Sequence, residues 1–237
     1  MSARRPLVAM IHATPAAIAP AAAAFAERFP AAELWNILDD RLITDAEAAG
    51  GVVPRLRRRM ATLISHAIEG RADAVLLTCS QYGPGAELAA PFYDVPVAGS
   101  DDAMLAWVVE NRPKSVAVLG SLDSSVADST QRLERLVSET GTGTTVAGVW
   151  CIGASEAAVA GDKEALLASL LDGAEPHRGQ VDAFLLAQYS LTPVAAELAE
   201  RLGTAVLSPP HMAADNLRDR LAHGSMEIQR DARAATG

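Results

Sequence analysis

The sequence is poor in the groups that most often announce a function. Its two cysteines, Cys79 and Cys151, have no second thiol close in sequence, which excludes a zinc ribbon and a Cys-x-x-Cys redox pair. Neither a phosphate-binding loop nor a dinucleotide glycine fingerprint occurs; Gly120-Ser121-Leu122 begins like the latter but lacks its later glycines. No serine stands in a Gly-x-Ser-x-Gly elbow. Positive charge is in deficit, with Lys+Arg 20 against Asp+Glu 29 and a net charge of −9, so there is no general attraction to nucleic acid or to an anionic membrane. A small anion would have to be met by local donors. No apolar run approaches the roughly 20 residues of a membrane helix. At the N-terminus Leu7-Val-Ala-Met-Ile11 stops at His12, Thr14 and Pro15, too short for a signal peptide. These absences predict a cytoplasmic protein in a reducing setting, with no metal and no cofactor.

What is present is a repeated alternation of short apolar runs and helical patterns. The 237 residues suffice for a substantial core in one or two domains. Leu7–Ile11 reads as a central parallel strand buried on both faces, with Thr14 as a cap and Pro15 at the first helical position of a segment over about 16–28, kinked by Pro20. Glu33–Leu38 reads as a strand, residues 39–53 as a loop, and 54–69 as a helix whose Leu56, Met60, Leu63, Ile64 and Ala67 share one face. Its arginines Arg55, Arg57, Arg58 and Arg59 read as a solvated side. Asp73-Ala-Val-Leu-Leu-Thr78-Cys79-Ser80 is a strand ending in small polar residues, followed by a short helix, a strand at Pro96–Ser100 and a helix over 101–111.

From Ser115 the pattern begins again. Val8-Ala-Met-Ile11 is echoed by Val116-Ala-Val-Leu119, Asp73-Ala by Asp182-Ala, and Val97 by Val206, all at nearly one offset. The second half reads as a helix near 123–138, a strand near 145–152, helical pattern through 154–171, the strand of Asp182-Ala-Phe-Leu-Leu, a strand at 205–207 and a last helix from Pro209, with polar residues beyond about His223 expected to fray. Strands alternating with helices predict parallel sheets built by right-handed crossovers, hence two pseudo-twofold-related α/β lobes of about four strands each. Ligands sit at the carboxyl ends of strands in such sheets. That places His12, Thr14, Cys79, Ser80, Ser121, Gln188 and Ser190 around one cleft.

Cys79 follows its apolar run rather than lying inside it, which marks it as the reactive thiol, whereas Cys151 sits in a strand pattern and reads as packing. His12, on the neighbouring strand, is placed to accept the Cys79 proton or, as imidazolium, to lower the thiol pKa. Thr14, Ser80, Ser121 and Ser190 form a ring of small donors suited to a carboxylate.

On Leu-Leu-Thr78-Cys79-Ser80 in the first half and Leu-Leu-Ala187-Gln188-Tyr189-Ser190 in the second, the chain resembles the aspartate/glutamate racemase superfamily, including hydantoin racemases, maleate isomerases and arylmalonate decarboxylases. The resemblance implies flavodoxin-like lobes, lobe one at 1–97 plus 210–237 and lobe two at 98–209, and a homodimer. It implies Cys79 as the first of two catalytic cysteines, His12 where an acidic helper often stands, and Pro15, Gln81, Tyr189 or Tyr82 shaping the pocket. The second cysteine corresponds to Gln188, which neither accepts nor delivers a proton near neutral pH. What it implies for function is a cofactor-independent isomerase acting by thiol acid/base or nucleophilic chemistry at the carbon α to a small carboxylate. One thiol also leaves open a decarboxylase of malonate-type acids, and, without catalysis, a small-carboxylate binding protein.

Overall fold

The computed structural model describes residues 4–234, with side chains as far as His223. Strand β1 (Leu7–His12) passes through a 3-10 turn into α1 (Ile18–Arg28), then β2 (Glu33–Leu38), α2 (Arg41–Ala48), α3 (Pro54–Glu69), β3 (Ala74–Leu77), α4 (Gly83–Ala89) and β4 (Val97–Ala98). The second half runs α5 (Asp102–Asn111), β5 (Ser115–Gly120), α6 (Asp123–Thr140), β6 (Thr145–Trp150), α7 (Ala154–Ala160), α8 (Lys163–Ala174), β7 (Ala183–Leu186), α9 (Ala195–Leu202), β8 (Ala205–Leu207) and α10 (Pro209–Ala234). Two four-stranded sheets result, ordered β2-β1-β3-β4 and β6-β5-β7-β8, all pairs parallel. The α/β architecture expected from the repeat is the one observed.

The repeat is kept down to the register. Val75 pairs with Val97 in the first sheet, and Phe184 with Val206, each 109 residues on, in the second. Each central strand is apolar on both faces because helices cover both. On β1, Val8 and Met10 pack with α1 and α10, while Ala9 and Ile11 pack with α2 and α3. On β5, Val116 and Val118 face α5 and α6, while Ala117 and Leu119 face α8 and α9. The repeated aspartates have one job. Asp73 Oδ2 accepts from the Leu7 N–H at 2.6 Å, and Asp182 Oδ2 from the Lys114 and Ser115 N–H groups at 2.6 and 3.0 Å, so each satisfies the first donors of the adjacent central strand.

Residues 99–101 join β4 of the first sheet to α5, which packs on the second sheet through Met104, Leu105 and Val108. Helix α10 packs back on the first sheet through Ala213, Ala214 and Leu217, and Arg218 donates to the last carbonyl of α1, Arg28 O, at 2.9 Å.

Several elements depart from the sequence reading. Residues 41–48, expected as loop, form α2; it buries only Leu42 and Ala46, too few for a periodic signal, and its Asp45 is paired with Arg41, Arg55 and Arg59. Arg55 and Arg59 therefore belong to an ion-pair cluster rather than to a purely solvated side. The pattern over 154–171 is two helices, parted at Gly161, whose φ of 68° ends α7. Pro20 does not break α1, because it lies in the first turn where no intrahelical N–H is needed. The backbone beyond His223 stays helical to Ala234, and residues 235–237 lie outside the described ones.

Candidate functional site

In an open sheet of order 2-1-3-4 the chain reverses direction between β1 and β3, which opens a crevice at their carboxyl ends. The first sheet's crevice is bordered by the turns after β1 and β3, and the second sheet's by the turns after β5 and β7. The two face each other across a cavity of about 210 Å3, below the usual range for drug-sized ligands of about 300–1,000 Å3. Lobe one contributes Thr14, Thr78, Cys79, Ser80 and Gln81; lobe two contributes Ser121, Gln188, Tyr189 and Ser190. Eight of these nine were named as site residues from the sequence or the resemblance it carries, Thr14 and Ser80 among them as donors; Thr78 was noted only as a neighbour of Cys79. Pro15 does not line the cavity: it opens the 3-10 turn capped by Thr14, whose Oγ1 accepts from the Ala16 N–H at 3.4 Å. Tyr82 is also turned away, 2 % exposed in the lobe-one core, its hydroxyl donating to Leu42 O at 2.9 Å.

Cys79 is partly buried at the start of the turn after β3. Burial pushes its thiol up to about 11, against the backbone N–H groups of Gln81 and Tyr82, which favour the thiolate; the Asp101 and Asp128 carboxylates add to the rise. At neutral pH this site therefore holds a protonated thiol, not the activated one expected with an imidazolium beside it. His12 explains the difference. It is fully buried, with Nε2 2.9 Å from Asn36 Oδ1 and Nδ1 2.8 Å from Thr78 Oγ1, and burial lowers its pKa against the raising effect of the Asn36 bond. Both ring nitrogens are thus committed inside lobe one, and the direct His12–Cys79 relay is not formed. His12 instead braces Thr78, the residue before the thiol, whose hydroxyl also lies 3.2 Å from Ile11 O.

Opposite the thiol, Gln188 Oε1 accepts the Ser121 N–H at 2.8 Å. A backbone donor fixes which amide atom is the oxygen, so the NH2 group is the part of Gln188 left to serve the cavity. The close approach needs Gly120: a Cβ there would meet Val126 Cγ2 at 2.5 Å and Gln188 Oε1 at 3.4 Å. Tyr189 is 3 % exposed, packs into the lobe-one core beside Met10 and Ala17, and donates to Ser100 O at 3.3 Å.

The sequence reading missed a polar joint behind the thiol. Arg132 of α6 bonds Asp101 Oδ2 at 2.8 Å and Oδ1 at 3.1 Å, and donates to Ser80 O at 3.2 Å. Side-chain exposures are 13 % for Arg132 and 2 % for Asp101, so the pair is substantially desolvated. Lobe two thus holds the turn that carries Cys79. No local signal in Gln-Arg132-Leu distinguishes this arginine from a surface one. The reading also missed Ile43, Ser100, Leu122, Ser125, Ala158 and Val159 as lining residues. Among the described residues no cluster of His, Cys, Asp or Glu has the arrangement to hold a metal ion, and no helix is long and apolar enough to cross a membrane. Cys151, 1 % exposed, packs with Leu166 and Leu170.

Residues 6–217 match the family model described as Asp/Glu/Hydantoin racemase. Among solved structures, glutamate racemase isoform RacE1 from Bacillus anthracis superposes with a TM-score of 0.67 at 13% identity, covering 94% of this chain and 84% of that one. Allantoin racemase from Klebsiella pneumoniae gives 0.66 at 15% identity, covering 92% and 89%, and Picrophilus torridus aspartate racemase 0.68 at 13%, covering 92% and 94%. At these identities the likeness is one of fold. No curated protein sequence matches the chain.

Proposed function

Because this chain belongs to the Asp/Glu/Hydantoin racemase family, we propose that it is a cofactor-independent enzyme that transfers a proton at the carbon α to a carboxylate of a small substrate, with Cys79 as the proton-carrying group. The observation that carries the reading is the placement of Cys79 on one wall of an interlobe cleft, facing an amide rather than a second thiol. A substrate held between the walls presents one face of Cα to Cys79. The Cys79 S–H first loses its proton to water, giving the minor thiolate form; when the α C–H bond then breaks, its proton goes to that thiolate and its electron pair into an enediolate, and the reverse step returns a proton to the same face. The Gln188 amide NH2, Thr14, Ser80 and Ser190 are the donors that would meet the enediolate oxygens, and fixed donors of this kind stabilise charge best where water is excluded. His12 acts through Thr78. A homodimer in the cytoplasm is part of this proposal, with sedimentation as its check.

A second reading is favoured by the protonated state of the thiol. In a malonate-type acid the bond to one carboxylate breaks, carbon dioxide leaves, and the electron pair remains as an enediolate that the Cys79 S–H protonates on one face. This route needs no thiolate at the start. Incubation in deuterated water with amino acids, hydantoins and substituted malonates separates the two: deuterium at Cα without loss of carbon indicates exchange, and release of carbon dioxide indicates decarboxylation. Cys79→Ala should abolish either. Full turnover by that variant would reduce the protein to a scaffold whose thiol is idle, and binding without turnover would leave a small-carboxylate binding protein.

A further inference from the structure

We infer that the cleft is built for a substrate whose anionic groups are confined to the reacting carbon and whose substituent there is apolar, so that acids carrying a second, distant carboxylate, such as glutarate, are disfavoured ligands. The inference rests on the cleft reading above but concerns recognition rather than chemistry. The lining divides by polarity. The strand-end turns supply hydroxyls, an amide and the thiol, enough for one carboxylate and its α-carbon. The remaining wall is largely hydrocarbon, Ile43 from α2, Leu122 before α6, and Ala158 and Val159 from α7, with the hydroxyls of Ser125 and Ser155 as its polar members. Two of these are unusually open for apolar residues, Leu122 at 41% and Val159 at 83% exposure. Trp150, 52% exposed, donates through Nε1 to the carbonyl of the lining residue Ser121 at 3.3 Å.

Among the described residues that line the cavity none is charged. A second carboxylate entering this wall would leave water and meet no cation, only neutral hydroxyls. An aliphatic or aromatic group in the same place would instead remove Val159 and Leu122 from water, and each methylene so buried is worth about fourfold in affinity. Arg132 and Arg59 are already paired, the first with Asp101 and the second with Asp39 and Asp45.

Binding of pentanoate and glutarate, equal in length and differing in one terminal carboxylate, tests this by titration calorimetry on the whole chain at constant ionic strength. Pentanoate is expected to bind at least tenfold more tightly, with affinity rising from propanoate to hexanoate. Val159→Lys, at an open surface position where folding is not at risk, should narrow or reverse the preference. Glutarate binding as well as pentanoate, or neither binding, overturns the inference. The predicted order without any α-proton exchange or decarboxylation would sustain it and refute the proposed chemistry instead.

Discussion

Alkylation of Cys79 as a function of pH puts the electrostatic description of the site to its hardest test. The structure places this thiol at about 11, against 9.0 for an unperturbed one, because burial outweighs the two backbone N–H groups that favour the thiolate. At pH 8 the thiolate fraction falls from about one in ten to about one in a thousand, a ~100-fold loss. A more basic thiolate is also a better nucleophile, by about tenfold over two pKa units, so the net rate with iodoacetamide at pH 8 should be about tenfold below that of a free thiol. Partial burial slows it further. The position of the inflection is the cleaner readout, since it is independent of access. Modification followed by mass on the Cys79 peptide, separately from that of Cys151, should rise through pH 10 without a plateau. A plateau reached by pH 8.5 would mean that a positive charge stands close to the sulfur after all, and the neutral, inward-committed His12 would be the first assignment to fall.

Other outcomes follow from the same geometry. Arg132→Gln leaves the 2 %-exposed Asp101 without its partner and should cost about 3–5 kcal/mol in urea unfolding, with less loss in the Asp101→Asn, Arg132→Gln double variant. Gln188→Cys places a second thiol opposite the first and releases the Ser121 N–H; if the substrate is exchanged by the wild type with retained configuration, this variant should racemise it, as chiral chromatography would show. Gly120→Ala forces a methyl against Val126 and should lower both stability and Cys79-dependent turnover. Cys79 and Cys151 are both raised to about 11, so each is more protonated in the folded than in the unfolded chain between about pH 9 and 11. Their contribution to stability is therefore complete below about pH 9 and lost as pH rises through 11, a limb that denaturation in the presence of reductant would trace.

The fold was legible because its strands are buried on both faces. Continuous runs such as Ala74–Leu77 and Ala183–Leu186 stand out in sequence, and their repeat at one offset carried the lobe symmetry directly into the observed register. The lining was legible for the same reason: ligand crevices form where such runs stop. Helix α2 was not, since two buried side chains in eight residues give no period. Partnerships were hidden too. Proximity along neighbouring strands put His12 beside Cys79 in the sequence reading, but β-strand side chains alternate between faces, and the imidazole turned to Asn36 on one side and Thr78 on the other. The Arg132–Asp101 pair spans 31 residues and the Arg132–Ser80 bond spans both lobes, and nothing in either local sequence announces them.

The internal repeat makes the site a comparison of one scaffold with itself. Asp73 and Asp182 perform the same task on their neighbouring strands, so the backbones arrive at positions 79 and 188 by equivalent paths, and the difference between the lobes there is chemical rather than architectural. In lobe one the turn's N–H groups at Gln81 and Tyr82 face a sulfur that keeps its proton. In lobe two the side chain at the equivalent position takes up a backbone N–H itself, through Gln188 Oε1 and Ser121, so its amide NH2 is the part left to the cavity it lines. That substitution moves the donor outward by the length of a glutamine side chain and removes any group able to hold a proton from that face. On the proposed chemistry one wall would move a proton and the other would only stabilise charge, which predicts facial selectivity at Cα that depends on Gln188 as well as on Cys79.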